Sequence, residues 1–168
     1  MMLPISGQGH INPMLHLAKL LHSKGFYITF INTESSKQSI LGSHGPGSLR
    51  GLDSFRFESI PDGLLSPDSR SQESVTKWCL STYDNCAAPL RELLVMLNGT
   101  AGVPRISCVV YNWIMSFALD VADELGIPAL VFSTMSACGF MADLQLDELI
   151  RRGYTPLRGT TSDCICWT

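Results

Sequence analysis

The sequence predicts an α/β fold, a Rossmann-like parallel sheet with helices on both faces. Short apolar segments alternate with helical patterns along the chain, which is the order of elements in α/β proteins. Each apolar segment is a nearly continuous run, as is typical of strands buried on both faces of a parallel sheet. The length of 168 residues suits one domain with a sizeable core, and no internal repeat or linker divides it.

The predicted strands are apolar, β-branched or aromatic segments, and the predicted helices carry apolar positions at helical spacing. The strands are 1–5, 26–31, 55–60, 106–111 and 129–133, and the helices are 12–23, 72–98, 115–125 and 136–152. Asn12 is a favourable N-cap for the first helix, and Pro13 suits its first position. Pro89 predicts a break or kink in the second helix, and the glycine-rich segment 42–54 predicts a loop.

Composition and charge exclude several classes of function. The formal net charge is -3 and no basic patch is present, so nucleic-acid binding is not expected. No apolar run is long enough for stable membrane insertion, and no signal sequence is seen, so a cytoplasmic location is expected. The six cysteines form no CxxC pair, which predicts free thiols and no metal site.

The segment 6–13 (SGQGHINP) joins the first predicted strand to the first predicted helix. Ligands of open α/β sheets bind at the carboxyl ends of strands, and His10 lies at such an end, two residues before the predicted cap. The positive end of the helix disfavours imidazolium, and a neutral imidazole can take a proton from a hydroxyl. His10 is therefore a candidate general base; the alternative is a histidine that only hydrogen-bonds the turn.

The same segment resembles part of a dinucleotide fingerprint. Gly7 and Gly9 supply two of its three glycines, but Asn12 occupies the third position. Glu34, at the end of the next strand, could hydrogen-bond the hydroxyls of a ribose. A dinucleotide-binding domain is thus a weaker alternative.

Longer segments carry a resemblance to a known family. The residues QGHINPM at 8–14, followed by LAKLLHSKGF and ITFINTE, resemble the start of the plant family-1 UDP-glycosyltransferases, above all the subgroup active on terpenoid, cyanohydrin and flavonoid acceptors. The resemblance continues in order through FRFESIPDGL, LRELLVMLN, SCVVYNWIMSFALDVADELGIP and ALVFSTMSACGFM, over roughly residues 3–158. It implies the N-terminal half of a GT-B fold, with 1–158 as the acceptor-binding domain, 159–168 as a divergent tail and the C-terminal UDP-sugar-binding domain absent.

This resemblance implies transfer of a sugar, expected to be glucose, from a UDP-sugar to the hydroxyl of a small lipophilic acceptor. The UDP-sugar is the donor substrate, no cofactor is implied, and the chain alone is expected to be weak or inactive. The alternative is a non-catalytic truncated paralogue that binds the acceptor or a partner chain. Association through an exposed face, where the second domain would dock, is expected in either case.

The resemblance also implies roles for two polar residues. His10 matches the base that deprotonates the acceptor hydroxyl, and Asn112 stands where the family has a buried Asp that orients this base. A neutral amide can hold a ring nitrogen, but it cannot stabilise imidazolium by charge, and it can select the wrong tautomer. Weakened base catalysis is therefore expected, and Asn112 equally suits an N-cap for the segment after it.

Further residues near the same strand ends are candidates for ligand contact. Thr134 matches a family position that can contact the donor sugar, although it could also cap the next helix. Glycine at position 9 lets the backbone approach a ligand closely. Apolar residues there could line an acceptor pocket or belong to the core: Ile11, Met115, Phe117 and Met135.

Overall fold

The computed structural model describes residues 1–44, 51–63 and 72–155. Within them, five strands form one parallel sheet in the order β3-β2-β1-β4-β5. The strands are β1 (Met2–Leu3), β2 (Ile28–Thr33), β3 (Phe55–Ile60), β4 (Val109–Asn112) and β5 (Ala129–Phe132). The predicted parallel α/β fold is confirmed.

Helices α1 (Gln8–Ser23) and α3 (Gln72–Gly99) pack on opposite faces of this sheet. The described residues also form α2 (Glu34–His44), α4 (Phe117–Glu124), α5 (Ala137–Leu144) and α6 (Leu146–Arg151), with a 3-10 turn at Trp113–Met115. On one face, Met14 of α1 packs with Met2 of β1; on the other, Leu90 of α3 packs with Leu3. Because neighbouring residues of a strand point to opposite faces, β1 contributes one side chain to each half of the core.

The strand order places a switch point between β1 and β4. The chain builds outward from β1 to β2 and β3, then returns through α3 to form β4 on the other side of β1. Connections leave the carboxyl ends of β1 and β4 in opposite directions, which opens a crevice between them. In open α/β sheets this crevice is the usual ligand site.

The first helix begins four residues earlier than predicted. α1 starts at Gln8, and the N–H groups of His10 and Ile11 bond to the Gly7 carbonyl at 3.0 and 2.9 Å. Asn12 is therefore not the cap, and Pro13 lies inside the helix. The reason is Gly7, whose φ of 133° lets the chain turn into the helix at the next residue. His10 is consequently in the first turn of α1, not ahead of the helix.

Other boundaries also differ from the prediction. α2 was not predicted, and its end overlaps the expected loop at 42–54. α3 continues through Pro89 as one helix, so of the predicted break or kink the break is wrong and the kink stays a prediction. Its buried Leu90 and Leu94 hold it against the sheet. The helix predicted over 136–152 is two helices, α5 and α6, separated at Gln145.

The chain divides into two compact units. The first, Met1–Thr134, contains the whole sheet with α1 to α4, and the second begins at Met135 and contains α5 and α6. The predicted tail, 159–168, lies outside the described residues. In the described part of the chain, no helix combines the length and apolar character needed to cross a membrane.

Candidate functional site at the switch point of the sheet

Three polar side chains meet where β1, β4 and β5 end. His10 follows β1, Asn112 is the last residue of β4, and Thr134 follows β5. The Nδ1 atom of His10 is 3.1 Å from Asn112 Nδ2 and 2.8 Å from Thr134 Oγ1. The parallel sheet brings these residues together although His10 lies more than a hundred positions before its partners in the sequence. This places them at the crevice where such sheets bind ligands.

Asn112 is fully buried and bonds in two directions. Its Oδ1 accepts a hydrogen bond from the backbone N–H of Ile114 at 3.2 Å and thereby caps the 3-10 turn Trp113–Met115. Its Nδ2 is the atom that faces the His10 ring. The cap role and the contact with His10, which the sequence suggested as compatible, are both present.

The His10 ring is half-buried, and burial lowers its pKa because the charged imidazolium loses hydration. The sequence predicted a neutral ring because of the nearby helix terminus. The direction of the pKa shift agrees with this prediction, but its cause is burial. In the described residues, Nε2 has no hydrogen-bond partner, whereas Nδ1 has two within reach. The site therefore holds one neutral imidazole by Nδ1 and leaves its other nitrogen for a ligand.

The two glycines beside His10 have different roles. Gly7 has φ 133°, and a Cβ there would lie 3.6 Å from Cδ2 of His10, an ordinary contact. Its backbone conformation, not lack of room, requires glycine. Gly9 has a helical position with nothing within 4 Å of a Cβ, so a ligand contact at Gly9 stays a prediction.

The apolar candidates separate by position. Met115 and Phe117 are buried in the core on the α3 and α4 face, which agrees with the core alternative; that they line an acceptor pocket stays a prediction. Ile11 is half-buried and packs against the core on the α1 face. Met135 is the first residue of the second unit, and its predicted ligand contact stays a prediction.

The dinucleotide alternative gains no support from this geometry. Asn12, in place of the third glycine, is an exposed residue inside α1. Glu34 is an exposed residue in the first turn of α2. No cluster of three or more metal-ligating side chains occurs within the described ranges. Among the cysteines, Cys86, Cys108 and Cys138 are free thiols, while the Cys79 side chain, Cys164 and Cys166 lie outside the described part.

A hydroxyl network beside His10 was not predicted. Ser6, which directly precedes Gly7, hydrogen-bonds Ser36 and, at 3.1 Å, Thr33 Oγ1. Ser35 bonds Thr33 at 3.1 Å and donates to the carboxylate of Asp62, which is almost fully buried. The only sequence signal is hydroxyl residues that follow strands. The network ties the turn before His10 to the ends of β2 and β3.

The chain is similar in sequence to plant glycosyltransferases. It is 49% identical over 160 residues to UDP-glycosyltransferase 85A5 of Arabidopsis thaliana, covering 95% of this chain and 33% of that protein. It is 48% identical to the 7-deoxyloganetin glucosyltransferase of Gardenia jasminoides, covering 93% of this chain and 33% of that protein. It is also 48% identical to the (R)-mandelonitrile beta-glucosyltransferase of Prunus dulcis, covering 92% of this chain and 32% of that protein. The chain therefore spans about a third of the length of these curated relatives.

Solved structures show the same fold. The rice protein Os79, in complex with a trichothecene, has a TM-score of 0.65 and 26% identity, covering 90% of this chain and 32% of that one. LpCGTa in complex with UDP has a TM-score of 0.66 at 24% identity, covering 89% of this chain and 34% of that one, a likeness of fold. The matched region is the N-terminal part of those structures. No protein-family model matches the chain.

Proposed function

Since the chain matches the plant UDP-glycosyltransferases in sequence and fold over the third of their length that it spans, we propose that it is their acceptor-binding part. The reaction would transfer a sugar, glucose by preference, from a UDP-sugar to an oxygen of a small lipophilic acceptor. The observation that most supports this proposal is the position of the His10 ring at the switch point, where Asn112 and Thr134 contact its Nδ1 atom. The relatives named for 7-deoxyloganetin and (R)-mandelonitrile support a terpenoid or cyanohydrin acceptor.

In this proposal, Nε2 of His10 contacts the reacting oxygen of the acceptor. That oxygen attacks the anomeric carbon of the sugar, the bond from this carbon to UDP breaks, and UDP leaves with the electron pair. The proton of an acceptor hydroxyl would pass to Nε2 of His10. The UDP-sugar itself would be held by a part of the protein beyond the third that this chain spans. Asn112 positions the His10 ring but carries no charge, so it cannot offset imidazolium as a carboxylate would.

Binding of an acceptor to the 168-residue chain tests the proposal. Geraniol, a terpenoid alcohol, and quercetin, a flavonol, serve as probes, and ligand-observed saturation-transfer NMR measures binding. We expect His10→Ala to weaken binding severalfold, because the side chain that meets the acceptor oxygen is removed. His16→Ala, at an exposed position of the same helix, is the matched control and should bind like the unmodified chain. No binding of either probe, or equal binding by His10→Ala, would contradict the proposal.

A second candidate is a non-catalytic protein that binds the acceptor or a partner chain. The neutral Asn112 beside His10 favours it, since proton removal gains nothing from an amide. A chimera separates the two candidates: this chain replaces the matching third of the Gardenia 7-deoxyloganetin glucosyltransferase. Transfer from UDP-glucose by the chimera supports the enzyme, whereas a folded chimera that binds acceptor without transfer supports the binding protein.

A further inference from the structure

The orientation of the Asn112 amide follows from its backbone partner. The N–H of Ile114 can only donate, so the Asn112 atom 3.2 Å from it must be the amide oxygen. In the reverse orientation, the amide NH₂ would face that N–H in a fully buried place, where an unpaired donor is strongly unfavourable. The group 3.1 Å from Nδ1 of His10 is therefore the amide NH₂.

This orientation decides which nitrogen of His10 carries the proton. An amide NH₂ has donors and no acceptor, so Nδ1 must offer its lone pair. A neutral imidazole has one proton, which is then on Nε2. The Thr134 hydroxyl, 2.8 Å from Nδ1, can donate or accept and fits either tautomer, so the Asn112 NH₂ is the contact that distinguishes them.

The nitrogen left for a ligand is therefore a hydrogen-bond donor. For His10 to accept a proton at Nε2, the ring proton must first move from Nε2 to Nδ1. There it would face the Asn112 NH₂, which cannot accept it. A carboxylate at position 112 would have the opposite effect, since it accepts from Nδ1–H and leaves the lone pair on Nε2. The positive end of α1, whose first turn has no acidic residue, adds to the preference for a negative oxygen.

We propose, resting on the proposed function, that His10 binds an acceptor oxygen that is already ionised, a carboxylate or an acidic phenol, by donating from Nε2–H. Such an acceptor needs no base. Its negative oxygen forms the bond to the anomeric carbon, the bond from that carbon to UDP breaks, and UDP leaves with the electron pair. Alcohols, which must lose a proton first, should react more slowly than these ionised acceptors.

The tautomer can be measured without any ligand. Two-bond proton–nitrogen correlation NMR of the 168-residue chain, labelled with ¹⁵N-histidine, distinguishes protonated from unprotonated ring nitrogens. His10 is assigned by the loss of its signals in His10→Gln. We expect an unprotonated Nδ1 in the unmodified chain and a protonated Nδ1 in Asn112→Asp. A protonated Nδ1 in the unmodified chain would overturn the proposal, whatever becomes of the variant.

The ligand class is tested with benzoate and benzyl alcohol, which share a ring and differ in charge. We expect the unmodified chain to bind benzoate about tenfold more tightly, the factor that separates a charge-assisted from a neutral hydrogen bond. Asn112→Asp should lose this preference, and so should His10→Ala. Preference for the alcohol, with acceptor binding otherwise intact, overturns this proposal alone. If neither compound binds, the proposed function is overturned as well.

Discussion

At the residue scale, Asn112 serves two neighbours with its two different atoms. Its oxygen caps the turn that follows β4, and its NH₂ faces His10. Because the cap fixes the amide, the state of the His10 ring depends on a backbone N–H that touches no ligand. An amide at this position can therefore be fully compatible with the fold and still alter the chemistry of its neighbour.

The lowered pKa of His10 predicts a pH dependence of stability. Burial lowers the pKa in the folded chain below the ordinary value of about 6.5, so the unfolded chain binds more protons in that range. The free energy of unfolding should fall as the pH drops below about 6.5 and level off below the folded pKa. Urea unfolding between about pH 5 and pH 8 measures this, and His10→Gln should flatten the slope. His16→Gln is the control, and an unchanged slope in His10→Gln would contradict the prediction.

The sequence alone could indicate His10 as a site residue, because the motif, the strand end and the following helix are local features. Asn112 could be assigned only through the resemblance. The Thr134 contact with Nδ1 could not be predicted, because it joins residues 124 positions apart through the order of β1, β4 and β5. The orientation of the Asn112 amide likewise depends on the fold around Ile114.

At the element scale, the start of α1 positions His10. The chain turns into the helix at Gly7, whose carbonyl accepts from the N–H groups of His10 and Ile11. Ser6, one residue earlier, is tied to Ser36 at the start of α2. The position of the His10 ring therefore depends on a glycine conformation and a hydroxyl network, both outside the helix itself.

Replacing the two glycines of this turn should have opposite effects on stability. Gly7→Ala forces a side chain into φ 133° and should lower the free energy of unfolding by about 1–3 kcal/mol. Gly9→Ala meets open space in the first turn of α1 and should be neutral or stabilise by up to about 1 kcal/mol. Urea unfolding of both variants measures the difference. Equal effects of the two substitutions would show that Gly7 imposes no special conformation.

Sequence patterns located most elements but not their ends. The strand predicted over 26–31 is Ile28–Thr33, because Phe26 is exposed and the strand begins where Ile28 pairs with Phe55. An apolar residue counts equally in a pattern whether it lies in the sheet or before it. α2 was missed because its sequence, rich in serine, has weak helical character and depends on packing against β2 and β3.

At the scale of the whole molecule, the sheet order creates the site. A pattern of alternating strands and helices predicts a parallel sheet, but not that β4 lies beside β1. Only this order brings the ends of β1 and β4 together and opens the crevice beside His10. The division into two units at Met135 was likewise not apparent from composition.

Exposed apolar surface predicts that the chain associates with itself. On β5, Leu130 and Val131 are 61% and 55% exposed, and within the second unit Met141 and Leu144 are also exposed. We expect oligomers at micromolar concentration by size exclusion with light scattering. Leu130→Ser should reduce them, whereas Leu20→Ser, at an exposed position of α1, should not. A monodisperse monomer would contradict this prediction.

Transfer of glucose from UDP-glucose tests most directly whether this chain supplies the acceptor side of a larger enzyme. The assay uses the 168-residue chain alone and the chimera with the remaining two-thirds of the Gardenia relative, each with benzoate and geraniol. We predict no transfer by the chain alone. The chimera should transfer glucose to benzoate faster than to geraniol, and His10→Ala should abolish this transfer. Robust transfer by the chain alone, abolished by His10→Ala, would contradict the claim that the sugar-nucleotide side lies elsewhere.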